Sequence, residues 1–308
     1  MLENRHLITP VLENVLEEFA IAIIGGSGLY EMQGLADIQE HWVDTPFGKP
    51  SDAVVTGTLD GVAVAFLARH GRGHKLLPSE VPYRANIYAL KALGVRYLLS
   101  ISAVGSLAED MRPLDMVIPD QMMDLTKGRQ ASFFGAGAVA HVSMAQPVCP
   151  NLAELLSRAC QATVPEDVRV HTKGTYVCIE GPAFSTRAES EWYRSMGAQV
   201  IGMTNMPEAK LAREAEIAYA TLALVTDYDC WHPREAHVTA DLAMANLMRN
   251  AATAQHIVRH AIGLLALEMP SSIAHDALSS SLVTPIAIME DSVKLRLAAL
   301  LASRINRG

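Results

Sequence analysis

Short apolar runs alternate with amphipathic segments along most of the chain. The run IAII at 21–24 is followed by glycines, as in a buried strand that ends in a loop. Residues 53–71 contain two apolar runs separated by Asp60-Gly61, a dipeptide typical of a hairpin turn. Residues 83–94 have helical periodicity and end at a glycine, a common helix stop. The first third of the chain therefore predicts strands and helices in alternation.

The same alternation continues to about residue 268. Further strands are predicted at 95–105, in LDMVIPDQMMDLT (114–126), and at 175–184, 199–204 and 217–227. Further helices are predicted at 151–162, 186–197, 207–216 and 238–268. Alternating strands and helices indicate an α/β fold.

The tail after Pro270 has a different character. It begins with a small, polar segment and continues as one amphipathic helix pattern, IAIMEDSVKLRLAALLASRI. We therefore expect three parts: an N-terminal extension over 1–19, a single α/β domain over 20–269, and a C-terminal helical extension over 270–308. The C-terminal extension is expected to pack on the surface of the domain or on a neighbouring subunit.

Composition excludes several classes of protein. The chain has 308 residues, a net charge of −8 and a pI of about 5.8, which argues against a broad nucleic-acid-binding face. Its four cysteines include no C-x-x-C pair, so neither a zinc site nor a disulfide framework is expected. The first 18 residues lack the apolar core of a signal peptide, and no uncharged apolar run reaches the roughly 18 residues of a membrane helix. We expect a cytoplasmic protein without nucleic-acid or membrane partners.

The first candidate site is the glycine-rich loop after the first strand, Gly25-Gly26-Ser27-Gly28. Such a loop can bring backbone amides and a hydroxyl close to an oxyanion, although a simple tight turn has the same composition. A dinucleotide fingerprint would need a glycine where Glu31 stands, and the lysine of a P-loop is absent.

The second candidate is the basic segment LARHGRGH at 67–74. Arg69 and His70 directly follow an apolar strand, where they suit recognition of phosphate or carboxylate. A solvated basic loop is the alternative. His70 and His74 are four residues apart, as in a metal pair on a helix, but the glycines between them disfavour a helix and hence a metal.

Two more strands end in small or hydroxyl-bearing residues. Ser102 and Ala103 lie near the end of one strand, and Met203 and Thr204 follow another. Met203 alone would be typical of a core. Ligands of α/β proteins bind beyond the carboxyl ends of the strands, so several such ends favour one shared pocket.

Two acids, Asp227 and Asp229, follow the apolar run at 217–225. In an extended strand their side chains would lie on the same face. They could cap a following helix, form a glycosidase-like acid/base pair, or bind the edge of a heterocycle. His232-Pro233 interrupts the chain directly afterwards, which disfavours a cap, and a shared face disfavours groups that flank a scissile bond.

Seven blocks occur in one order along the chain: IIGGSGLY, DTPFGKPSDA, LARHGRGH, SAVGSL, IEGPAFSTRAESE, VIGMTNMPEAKLAREA and TDYDCW. Together they resemble the trimeric purine nucleoside phosphorylase family, and within it the 5′-methylthioadenosine phosphorylases, over roughly residues 20–268. The resemblance implies one α/β domain around a mixed, partly barrel-like sheet flanked by helices. It also implies a homotrimer, or a hexamer built from two trimers. The implied reaction is phosphorolysis of 5′-methylthioadenosine to adenine and 5-methylthioribose 1-phosphate, with inorganic phosphate as co-substrate and no metal or cofactor.

The same resemblance assigns roles to residues. The phosphate-binding positions are Ser27, Arg69, His70, Ser102, Ala103 and Thr204. The nucleoside-binding positions are Phe184, Ser185, Met203, Asp227, Tyr228 and Asp229, of which the two acids are the catalytic pair. The positions at the 5′ end of the substrate are Ala240, Ala243, Met244 and, from a neighbouring subunit, His141. The family often has threonine in place of Ser27 and Ser102, and its arginine after Gly-Pro is replaced by Ala183.

The chemistry of purine release fits these roles. A protonated or water-bridged Asp227 can donate a hydrogen bond to N7 of the leaving purine, and Asp229 can accept one from the 6-amino group of adenine. The alternatives are a phosphorylase for methylthioinosine or general purine nucleosides, and a nucleotide-binding module without chemistry. A serine hydrolase lacks its G-x-S-x-G motif. Ala240 and Ala243 are small, which leaves room for larger 5′ substituents.

Overall fold

The structure, a computed structural model, describes residues 19–26, 32–235 and 237–305. Within these ranges, eleven strands form one mixed sheet. They are β1 (Ile21–Gly25), β2 (Leu35–His41), β3 (Val54–Leu59), β4 (Val62–Ala68), β5 (Tyr97–Ser106), β6 (Met116–Val117), β7 (Gln121–Leu125), β8 (Val170–His171), β9 (Thr175–Ile179), β10 (Val200–Gly202) and β11 (Ala218–Asp227).

Helices flank this sheet. They are α1 (Tyr83–Ala92), α2 (Pro150–Thr163), α3 (Arg187–Ser195), α4 (Asn205–Glu214), α5 (Ala240–Glu268), α6 (Asp291–Arg296) and α7 (Ala298–Ile305), with short 3₁₀ segments at Ile273–Ser279 and Ile286–Ile288. No single helix in the described ranges is long and apolar enough to cross a bilayer. Helix α5 and Ile273–Ser279 meet the criteria of length and composition only as a pair bent by 63°.

The sheet branches at β5. The main path runs β2-β3-β4-β1-β5-β10-β9-β7, and β11 pairs with both β5 and β6. Strand β5 is parallel to β1 and β11 but antiparallel to β10. The predicted α/β class with a mixed central sheet is therefore confirmed. Because β1, β4, β5 and β11 run in one direction, their carboxyl ends meet at one edge of the sheet.

The two faces of the sheet bury different apolar layers, as the alternation of side chains in a strand requires. In β1, Ile21 and Ile23 pack on the side of α2 and α5, whereas Ala22 and Ile24 pack on the side of α1 and α4. All ten residues of β11 are buried, which explains why its sequence is continuously apolar rather than alternating.

Several predicted local structures are confirmed. Strands β3 and β4 form the expected hairpin, with Leu59 opposite Val62 and both turn residues, Asp60 and Gly61, at positive φ. The predicted strand over 114–126 is wrong in one respect. It is two strands, β6 and β7, separated at Pro119, which lacks the amide hydrogen that would continue the ladder.

The C-terminal segment is not one helix, as the pattern predicted, but two 3₁₀ segments followed by α6 and α7. Leu297, Leu300 and Leu301 are fully buried in the same apolar layer as α1. Arg304 forms an ion pair with the buried Glu216, Nη2 to Oε1 at 2.7 Å. The described part of this segment thus packs on the domain of its own chain. The first 18 residues of the predicted N-terminal extension lie outside the described ranges.

Candidate active site

One cavity lies at the edge of the sheet where the parallel strands end. Its volume is about 270 Å³, close to the lower end of the roughly 300–1,000 Å³ typical of small-molecule sites. Predicted residues that line it are Arg69, His70, Ser102, Ala103, Phe184, Ser185, Met203, Thr204, Asp227, Asp229, Ala240, Ala243 and Met244. Thirteen positions from six separate segments of the sequence therefore meet in one place.

Arg69, directly after β4, is held rigidly at the wall of this cavity. Its guanidinium forms a two-pronged ion pair with Glu208, with Nε to Oε2 at 2.7 Å and Nη2 to Oε1 at 3.1 Å. Nη1 donates to the carbonyl oxygen of Ile101 at 2.9 Å. Burial alone would lower the pKa of Arg69, but the Glu208 carboxylate reverses this and raises it. Arg69 is therefore permanently charged, although its charge is balanced by Glu208.

His70 is neutral at physiological pH. Burial, together with the charge of Arg69, lowers its pKa to about 4. Its Nδ1 lies 2.9 Å from the carbonyl oxygen of Leu76, which can only accept, so Nδ1 carries the proton. The other ring nitrogen is then a hydrogen-bond acceptor. The ring of His74, which also lines the cavity, stacks on that of His70 with centroids 4.3 Å apart.

Hydroxyl and small residues complete this part of the wall. Ser102 lies within β5, 3.3 Å from the hydroxyl of Tyr176, and Thr204 follows β10. Gly26 and Ala103 also line the cavity, and neither has a bulky side chain. Ser27, the remaining predicted phosphate ligand, lies outside the described residues, so its role stays a prediction.

Asp227 and Asp229 both line the cavity, but they are not neighbours on one face of an extended strand, as the sequence predicted. Strand β11 ends at Asp227, and Asp229 has a φ of 51°, which is not extended backbone. The amide of Asp229 donates to Asp227 Oδ1 at 2.8 Å, which closes a turn between them. The hydroxyl of Thr226 donates to Asp227 Oδ2 at 2.6 Å. A turn, rather than a shared strand face, therefore brings the two carboxyls together.

The helix-cap interpretation of these acids is wrong. The next helix, α5, begins at Ala240 and is capped by Thr239, whose hydroxyl accepts from the amide of Leu242 at 3.2 Å. Asp227 and Asp229 are each only 4% exposed, and burial raises the pKa of both carboxyls. Raised pKa values in a cleft are typical of groups that exchange protons with a ligand.

Gly105 makes room for the two acids. A methyl group on this residue would lie 3.0 Å from Asp227 Oδ1 and from Ile201 Cγ2, and 3.4 Å from Asp229 Cβ. Because Asp227 is already fixed by two hydrogen bonds, it has little freedom to retreat. A glycine at this point of β5 is therefore part of the site.

The remaining wall is mostly apolar. Phe184 is 42% exposed and Met203 lies beside Gly181. The hydroxyl of Ser185 is buried beside the carboxylate of Asp229. From the first turns of α5, Ala240, Ala243 and Met244 face the cavity.

Two predicted residues do not line the cavity in the described chain. The ring of Tyr228 packs edge-on against Trp231, and its hydroxyl donates to the carbonyl oxygen of Glu109 at 3.3 Å. His141 lies on an exposed segment whose backbone pairs with Ser281. The contact expected of His141 is with a substrate bound to a second copy of the chain. The roles of Tyr228 and His141 therefore stay predictions.

Sequence reasoning missed several residues of the site. Thr226 supports Asp227, Val238 and Leu247 add to the apolar wall, and Glu208 holds Arg69. Thr226 could have been found from its place beside the acids. Glu208 gave no such signal, because an acid in the first turn of a helix is ordinary.

The described residues contain no group of three or more His, Cys, Asp or Glu that could hold a metal ion. The rings of His70 and His74 are stacked at an interplanar angle of 12°. Stacked rings share a face with each other, whereas metal ligands point their nitrogens at one centre.

The fold and this cavity define an enzyme of the purine nucleoside phosphorylase type. The family model of the phosphorylase superfamily matches residues 20–263, and the chain belongs to that superfamily. Among solved structures it is similar to a methylthioadenosine phosphorylase sourced from an Antarctic soil metagenomic library. The two share 64% identity with a TM-score of 0.89, over 92% of this chain and 99% of that one.

Other relatives carry the same name. The chain is 59% identical to the S-methyl-5′-thioadenosine phosphorylase of Synechocystis sp., over 86% of this chain and 81% of that protein. It is 57% identical to that of Thermosynechococcus vestitus, over 92% and 98%. A methylthioadenosine phosphorylase from Schistosoma mansoni in complex with adenine has a TM-score of 0.77 at 36% identity, over 94% and 99%. The family predicted from the seven sequence blocks is confirmed.

Proposed function

We propose that the chain catalyses the phosphorolysis of 5′-methylthioadenosine to adenine and 5-methylthioribose 1-phosphate. The observation that carries this is the single cavity in which Asp227 and Asp229 meet Arg69, His70, Ser102 and Thr204. Two substrates, a purine nucleoside and an oxyanion, need two such groups of residues in one place. Inorganic phosphate is the co-substrate, and the reaction needs no metal or cofactor.

The acids act on the leaving purine. Breaking the N-glycosidic bond places negative charge on the purine, and a hydrogen bond donated to N7 stabilises that charge. The raised pKa of Asp227 favours a proton on its carboxyl, which lets it donate. Asp229 accepts from the 6-amino group of adenine, so the pair prefers adenine over a 6-oxopurine, whose edge offers an acceptor there.

The apolar wall supplied by α5 receives the 5′ end. Ala240, Ala243 and Met244 offer no side-chain hydrogen bond to a 5′-hydroxyl, whereas a methylthio group gains from apolar contact. If the 5′ substituent lies against α5, phosphate can bind at the other part of the wall, beside Arg69, His70 and Ser102. These assignments give the purine, the 5′ substituent and phosphate each a separate part of the cavity wall.

The test compares four nucleosides with and without phosphate. Purified protein is expected to release adenine from methylthioadenosine only when phosphate is present. Catalytic efficiency is expected to fall in the order methylthioadenosine, adenosine, then methylthioinosine and inosine. A preference for the inosines would instead support a 6-oxopurine nucleoside phosphorylase. Release that is independent of phosphate would exclude phosphorolysis.

We also propose that the enzyme works in the cytoplasm as a homotrimer, alone or paired into a hexamer, with His141 of one copy reaching the 5′ end of a substrate in the next. The exposure of His141 outside its own cavity supports this arrangement. Light scattering coupled to gel filtration should give three or six times the chain mass. His141→Ala should weaken methylthioadenosine binding and leave phosphate binding unchanged. A monomeric protein would contradict both the proposed oligomer and the proposed role of His141 in a neighbouring subunit.

A further inference from the structure

Glu208 is the most completely buried acid near the cavity, yet it does not line it. It lies in the first turn of α4 with a relative exposure of 0%. Its carboxylate accepts from Arg69 on both oxygens, from the hydroxyl of Ser100 at 2.8 Å and from that of Tyr219 at 2.8 Å. A buried carboxylate is costly unless it is paired with a cation and hydrogen-bonded, and here Arg69 and two hydroxyls do both.

The hydrogen bonds between Glu208 and Arg69 determine which N–H donors of Arg69 can reach a ligand. A guanidinium has five N–H groups. Nε and Nη2 are directed at Glu208, and Nη2 also donates to Ser100 Oγ at 2.7 Å. Nη1 donates one hydrogen to Ile101 O, and its second hydrogen has no partner among the described residues. Arg69 lines the cavity and is anchored on its far side, so we infer that this remaining charged N–H is the one available to a ligand.

We propose that Glu208 is a positioning residue for phosphate, acting through Arg69. The inference rests on the proposed function and deepens it. Because Glu208 balances the charge of Arg69, and because His70 is neutral, the phosphate end gains little from net charge. Binding there depends on the direction of its donors, and Glu208 fixes the direction of the charged one.

The proposal makes a prediction against simple electrostatics. Removing the negative charge of Glu208 should strengthen the attraction of the site for an anion if net charge controlled binding. If direction controls binding, the same change weakens it, because Arg69 loses the acceptor on Nε and turns away from its fork geometry. The sign of the effect on phosphate affinity therefore separates the two accounts.

The main variant is Glu208→Gln, which keeps an acceptor for Ser100 and Tyr219 but replaces the one on Nε. We expect the KM for phosphate to rise at least about tenfold, while the KM for the nucleoside stays within about twofold. The matched control is Glu214→Gln. Glu214 is a buried acid in the same helix that binds Ser132 and Phe133 and does not line the cavity. This control should lower thermal stability and leave both KM values unchanged.

A second, milder variant tests the same role in case Glu208→Gln does not fold. Tyr219→Phe removes one hydroxyl from Glu208 and keeps the ring, so the KM for phosphate should rise in the same direction by about two- to fivefold. In an Arg69→Ala background, adding Glu208→Gln should cause no further rise, because the residue acts only through Arg69. It should also raise the melting temperature of that background by removing an unpaired buried charge.

The outcomes are separable from those of the proposed function. If the wild-type enzyme shows no phosphate-dependent release of adenine, the proposed function fails. If the wild type is active and Glu208→Gln leaves the KM for phosphate unchanged or lowers it, the positioning role is overturned. Additive effects of Arg69→Ala and Glu208→Gln on that KM would overturn it as well.

Discussion

At the scale of single residues, the behaviour of Asp227 depends on its surroundings. Its two oxygens accept from Thr226 and from the amide of Asp229, and burial raises its pKa. The first two contacts hold the ionised form, whereas burial favours the protonated form. With a like charge two residues away, the two carboxyls titrate as a pair.

Substitutions of Asp227 should separate its role in stabilising the leaving purine from its role in selecting adenine. Asp227→Ala removes the hydrogen bond to N7 and should lower turnover by about 10²-fold or more. Asp227→Asn keeps a donor but presents an amide, and should raise the ratio of methylthioinosine to methylthioadenosine efficiency. Steady-state kinetics on both nucleosides measures this. A non-catalytic binding module would instead keep its ligand affinity in the alanine variant.

His70 should make stability depend on pH in a defined window. Its pKa is about 4 in the folded chain and about 6.5 when unfolded, so between these values the unfolded chain binds the extra proton. Stability from this residue is therefore complete above pH 6.5 and falls by about 3 kcal/mol as pH drops towards 4.

Urea unfolding in phosphate-free buffer, compared between wild type and His70→Gln, tests this dependence. The wild type should lose more free energy of unfolding than the variant between pH 6.5 and 4. Equal losses in the two proteins would show that His70 titrates normally in the folded chain.

At the scale of elements, the site follows from strands that end together. Residues after β1 and β4 and at the end of β11 approach one another because these strands run parallel around β1 and β5. Met203 and Thr204 reach the same cavity from β10, which is antiparallel to β5. The sequence identified most of these ends correctly. The turn that joins Asp227 to Asp229 was not predictable from alternation, because a side chain of one residue bonds the backbone of the other. The split at Pro119 was readable in principle, since proline cannot continue a ladder.

Helix α5 should control the size of the 5′ substituent. Ala243 faces the cavity from the first turn, and replacing it with leucine fills part of the apolar wall. Ala243→Leu should lower catalytic efficiency on 5′-butylthioadenosine by at least about tenfold more than on methylthioadenosine. Ala252→Leu, on the same helix but away from the cavity, serves as the control. An equal loss on both nucleosides would place the 5′ end elsewhere.

At the scale of the whole molecule, the C-terminal segment is tied to the core by Arg304. This residue donates to both oxygens of Glu216, which is 5% exposed and also accepts from the amide of Leu278. Arg304→Ala leaves that carboxylate without its cation and should cost about 3 kcal/mol of unfolding free energy.

A surface pair provides the comparison for this change. Arg158 and Glu268 bond at 2.7 Å with both side chains at least 40% exposed. Arg158→Ala should therefore cost less than about 1 kcal/mol. Chemical denaturation of the two variants measures the difference. Equal costs would mean that Arg304 contributes no more than a surface ion pair.

Short-range features of this molecule are predictable from the sequence, whereas long-range contacts are not. Motif order pointed to the family, and strand-end residues such as Arg69 and Asp227 pointed to the cavity, because local patterns and short-range chemistry are written in neighbouring positions. The role of Glu208 could not be predicted in this way, because Glu208 is 139 residues from Arg69 in the sequence and contacts it only through the packing of α4 on the sheet. The branching of the sheet at β5 is long-range in the same way.

In the proposed reaction, one cavity binds a purine nucleoside and phosphate together, and the sugar passes from the purine to phosphate. The most direct measurement is the number of phosphate ions consumed per adenine released from methylthioadenosine, followed by ³¹P NMR and ultraviolet absorbance in one reaction. We expect a ratio of one, with all the consumed phosphate found in the sugar 1-phosphate. Adenine release with no consumption of phosphate and a free sugar as product would contradict it.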